Sequence, residues 1–75
     1  MVRRNIKIIE EKVVNGDIKF AGTLIFTQEK VVVKGNINAR DIDAWGEINV
    51  AGEIKAFSVK GKIKHGTFVK KEARG

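Results

Sequence analysis

One histidine, one serine and no cysteine or tyrosine leave little with which to build a nucleophilic site. A serine–histidine pair would need Ser58 and His65 to meet, with an acid orienting the imidazole. They stand seven residues apart, and His65 fills the last slot of a repeated motif, where a structural role is expected. Asp41 and Asp43 flank Ile42, so on a strand their carboxylates project from one face. Two hard oxygens could begin a Ca²⁺ or Mg²⁺ site, but such sites take further ligands at defined offsets, and the sequence offers none. The glycines recur at the starts of short apolar triplets rather than ahead of a helix, which excludes a phosphate-cradling loop. The expectation is a protein with no catalytic residues, no metal and no cofactor.

Charge supplies a second chemistry. Lys60, Lys62 and Lys64 alternate, so on one strand they would share an outer face; Lys70, Lys71 and Arg74 follow. Such a row suits the phosphates of nucleic acid or an anionic surface. It also suits an exposed strand, because lysines blunt unwanted edge pairing. The whole chain of 75 residues carries 15 Lys and Arg against 9 Asp and Glu, a net charge of +6. The distribution is segmented. Residues 1–40 hold eight basic and four acidic residues, 41–56 one and four, and 57–75 six and one.

The chain has room for one small domain. An apolar fraction of 43% with 32% charged residues reads as globular rather than disordered. Without cysteine there is no disulfide and no thiolate metal site. No apolar run approaches a membrane span, and the N-terminus shows no signal-peptide core, so a reducing cytoplasm is the expected setting.

The elements that must position these residues emerge from an internal repeat. Residues 33–39 and 50–56 both read Val-x-Gly-x-Ile-x-Ala, offset by seventeen. A relaxed form, apolar-x-Gly-x-apolar-x-apolar, fits residues 14–20, 20–26 and 44–50, and 59–65 keeps its first three anchors. Apolar and polar residues alternate within each copy, the period of a half-buried strand. The triplets beginning at Ile37, Ile42, Ile48 and Ile54 start only five or six residues apart, too close for hairpins. Three short sides and three bends instead make one coil of about seventeen residues. The prediction is an all-β, triangular single-stranded β-solenoid, right-handed by preference, of roughly three coils. Steps of seventeen would then stack Val14 on Val31 and Ile48, Phe20 on Ile37 and Ile54, Ile25 on Ile42 and Val59, and Val33 on Val50. Residues 1–12 read as an N-terminal strand and partial cap, 13–69 as the solenoid, and 70–75 as a flexible basic tail.

The Val-x-Gly-x-Ile-x-Ala periodicity over residues 14–65, in a small cysteine-free chain, resembles the bactofilins. The run at residues 41–45, Asp-Ile-Asp-Ala-Trp, is also similar to short solenoid proteins of bacteria and their phages. Bactofilins are bacterial β-helix proteins that polymerise end to end, without nucleotide, into cytoskeletal filaments. The resemblance therefore implies a structural, self-assembling subunit whose partner is another copy of itself. This chain departs from that family in its short solenoid and its lack of Pro-rich flanks.

Assembly also follows from physics. A solenoid end presents unpaired backbone groups and the rim of an apolar core. About twelve residues precede the first repeat and about six follow the last, so the coil around Val59, Ile63 and Phe68 is the less covered end. Those three residues are the expected assembly interface. Trp45 and Phe57 join them, since each follows an inward alanine (Ala44, Ala56) and should lie at a bend or on the outer surface, available for a lateral contact. The alternative is a small basic module for nucleic acid or an anionic membrane surface, acting through Lys60, Lys62, Lys64, Lys70, Lys71 and Arg74.

Overall fold

Alternation of inward apolar and outward polar residues, interrupted every few positions by a bend, dictates the architecture. A computed structural model describes residues 5–72 as an all-β solenoid of about four stacked coils. The first coil is β1 (Ile6–Ile9), β2 (Val13–Val14) and β3 (Ile18–Lys19). The second is β4 (Thr23–Phe26), β5 (Lys30–Val33) and β6 (Ile37–Asn38). The third and fourth coils are nearly continuous extended chain, β7 (Asp41–Ala56) and β8 (Ser58–Lys70), folded around corners. Every pairing between coils is parallel. Such sheets need burial on the inner face, which the stacked apolar columns provide.

The count of coils exceeds the three expected, because Ile6–Ile9 pairs with Thr23–Phe26 as the first side of a further coil. The triplets of the third coil behave as read. Ile42, Ala44, Ile48, Val50, Ile54 and Ala56 are buried, while the residues between them in each triplet face outward.

Several stacking partners differ from a uniform step of seventeen. Between the first two coils the second and third sides are offset by nineteen, so Val14 stacks on Val33, and Ile18, not Phe20, stacks on Ile37. Leu24, not Ile25, lies in the column of Ile42 and Val59; Ile25 pairs with Asp43 on the outer face. The resulting columns are Leu24–Ile42–Val59, Val31–Ile48–Ile63, Val14–Val33–Val50 and Ile18–Ile37–Ile54–Phe68. Their middle members are shielded completely or nearly so, and Phe20 packs against them from one corner.

The fourth coil is tighter. Its offset from the third begins at seventeen (Asp41 to Ser58) and falls to fourteen (Ile54 to Phe68). The two coils differ at their corners. Three residues, 44–46, turn the third coil where only Gly61 turns the fourth, and 50–52 face only Gly66. Both glycines adopt positive φ, 109° and 125°, backbone that side-chain-bearing residues rarely take. An extra residue, Lys64, partly offsets the shortening. The C-terminal coil is thus a narrowed one.

Candidate functional site

Three corners run up the solenoid, and each places a different set of side chains. At the corner entering the third side, Gly-Asp, Gly-Asn, Gly-Glu and Gly-Thr recur at residues 16–17, 35–36, 52–53 and 66–67. Backbone N–H groups at a bend have no neighbour in the coil and need a partner. Asp17 Oδ1 accepts the Asn36 N–H at 2.8 Å, and Asn36 Oδ1 accepts the Glu53 N–H at 2.8 Å. These side chains hold successive coils together and supply no reactive group.

Ser58 and His65 are not brought together as a pair. Ser58 starts the first side and donates its hydroxyl to Asp41 Oδ1 at 2.8 Å. His65 is exposed on the second side, opposite Asn49. Asp41 and Asp43 share the outer face as their spacing implied. No cluster of three or more metal-ligating side chains occurs among the described residues.

The basic row is divided. Lys60 pairs with Asp43 on the first side, Gly61 turns the chain, and Lys62 pairs with Glu47 on the second. The three lysines therefore do not line one strand face, as alternation had suggested. They also stack over carboxylates. Glu47 lies opposite Lys30 on one side and Lys62 on the other, and Lys64 Nζ stands 3.9 Å from its Oε2. The acidic segment 41–56 and the described part of the basic segment, residues 57–72, are successive layers of the stack. That arrangement reduces like-charge repulsion between layers, each pair contributing about 1 kcal/mol or less at such exposure.

The C-terminal coil presents Val59 and Ile63 half-buried against the core, with Phe68 40% exposed at the top of its column. Strand β8 pairs with β7 on one side only, and no strand among the described residues covers its other edge. Trp45 is 68% exposed; it stands at the three-residue corner that the shortened fourth coil leaves uncovered. At the N-terminal end, Lys7 is in register with Leu24 and is exposed on the terminal coil, and its neighbours Ile6 and Ile8 are 56% and 58% exposed.

Phe57 lies elsewhere, in a groove at the corner between the third and first sides. The groove, of about 370 Å³, is lined by Lys19, Phe20, Asn38, Arg40, Phe57 and Lys71, among others. Lys71 N–H donates to the Ala56 carbonyl at 2.9 Å and its Nζ to Asn38 Oδ1 at 2.6 Å, and that ammonium stands 5.9 Å from the Phe57 ring centroid. Lys70 closes β8. Arg74 lies outside the described residues. Sequence reasoning singled out Phe57 and Lys71 separately but not the groove, because its cations come from residues 19, 40 and 71, far apart in sequence and on different coils. No protein-family model matches the chain, and neither a curated protein nor a solved structure matches it significantly.

Proposed function

We propose that this protein is a non-enzymatic structural subunit that assembles with copies of itself through the end of its solenoid, the kind of role that bactofilin-like repeats imply. One observation carries the reading: Val59, Ile63 and Phe68 crown the core columns on a coil whose outer strand edge has no partner among the described residues. In so small a fold, covering that edge would add stability to the fold itself.

The two ends are not equivalent. Head-to-tail stacking, which would propagate a filament, sets the narrowed fourth coil against the wider first one and brings Val59 toward the column position held by Lys7. Docking there would bury an ammonium that is now exposed, which is costly unless it is paired, and charges at sheet edges are a known device for blunting them. Pairing of two C-terminal coils matches them in size and sets apolar residues against apolar residues. That contact is isologous and closes as a two-fold dimer.

Analytical ultracentrifugation of wild type and Phe68→Glu tests the reading. Phe68 is exposed enough for the variant to fold, which circular dichroism checks. Loss of the dimer in a folded variant is the expected result. A folded variant that associates like wild type would remove the C-terminal coil from the account.

A further inference from the structure

The corner groove joins two features that end-to-end assembly does not require. Its floor is aromatic, from Phe20 and Phe57, and three cationic side chains surround it: Lys19, Arg40 and Lys71. No carboxylate is found among its described lining residues. Asn38 adds an amide, engaged by Lys71. Arg40 also lies 3.9 Å from the Asp41 carboxylate, but its side chain is 68% exposed and that pair is weak, so the guanidinium is available to a stronger anion.

The cations line up along the stack. Lys19 belongs to the first coil, Arg40 to the end of the second, and Lys71 follows the fourth. A second hollow, lined by Phe57, Lys70, Lys71 and Glu72, continues it past the Phe57 ring. The surface is therefore an open track rather than a closed pocket. Planar rings that can stack with bases, flanked by cations that can track phosphates, are the elements of single-strand recognition. A duplex hides its base faces and would use the charges alone.

We infer that this groove binds single-stranded nucleic acid, with bases against Phe57 and Phe20 and phosphates on Lys19, Arg40 and Lys71. The lysines above the acidic coil, Lys60 and Lys62, are not part of the track.

Fluorescence anisotropy with a labelled oligothymidylate tests this, with a duplex of equal length, thymidine monophosphate and anionic vesicles as comparison probes. Wild type should bind the single strand in preference to all three. Phe57→Ala should weaken binding by about 5- to 150-fold, the range for loss of one stacked base. Arg40→Gln and Lys71→Gln should each weaken it and lower the salt slope by about 0.7, one phosphate's worth on a single strand. Lys60→Gln should change it little. Circular dichroism confirms that each variant folds, and Arg40→Gln, at an exposed side chain, keeps the test open if Phe57→Ala does not. No binding at low salt would overturn the inference. So would equal affinity for duplex, mononucleotide or vesicles, or folded Arg40→Gln and Lys71→Gln variants that bind like wild type.

Discussion

At the scale of single residues, the solenoid depends on a few side chains that do the corner work. Asn36 accepts a backbone N–H from the next coil and donates its own to Asp17 in the preceding one. Removing the amide in Asn36→Ala should cost about 1 kcal/mol, the usual worth of one such bond. For a domain of this size that is a fall of roughly 4–8 °C in Tm, read by a thermal melt. Gly46 has a stricter role. A Cβ there would run into the backbone of Glu29, whose carbonyl accepts the Glu47 N–H at 2.6 Å. Backbone cannot yield as a flexible side chain can, so Gly46→Ala should destabilise by about 1–3 kcal/mol in a denaturant titration. An unchanged midpoint would mean that the coils do not approach at that corner. The role of Asn36 as a rung between coils is hidden in the sequence. Seeing it requires aligning the Gly-polar pairs at steps of nineteen, seventeen and fourteen rather than at one uniform step.

At the scale of strands and coils, legibility followed the strictness of alternation. Residues 42–44, 48–50 and 54–56 have apolar–polar–apolar order, so only one face can turn inward, and the structure buries that face. Residues 24–26 and 31–33 are apolar throughout, and in such a run period-2 reasoning is silent about parity. The neighbouring coil decides it. Asp41 and Asp43 must face water, so Thr23 and Ile25, their partners, face out as well, and Leu24 and Phe26 go in. The narrowing of the fourth coil had a signal in Gly61 and Gly66, but an even repeat masked it. The columns also rank the core. Ile37 is wholly buried between Ile18 and Ile54, so Ile37→Ala should cost about 2–5 kcal/mol. In a domain this small that loss approaches its whole stability. A modest shift in the urea midpoint would show that the column is loosely packed.

At the scale of the whole molecule, the layering of charge has a consequence for assembly. The acidic third coil faces the basic fourth, leaving the outermost layer with Lys60, Lys62, Lys64, Lys70 and Lys71 against Glu72. Two such layers brought together by their apolar columns repel through these lysines. Salt screens that repulsion, with a Debye length of about 10 Å at 0.1 M. Self-association should therefore strengthen as salt rises, whereas capture of single-stranded nucleic acid should weaken. The opposite slopes separate the two activities in one sample. The central claim is assembly through the C-terminal coil, and light scattering coupled to size exclusion across a salt series tests it most directly. The account predicts a monomer–dimer equilibrium whose dimer fraction grows with salt. A monomer at every salt and concentration, or open-ended polymers in place of a dimer, would contradict it.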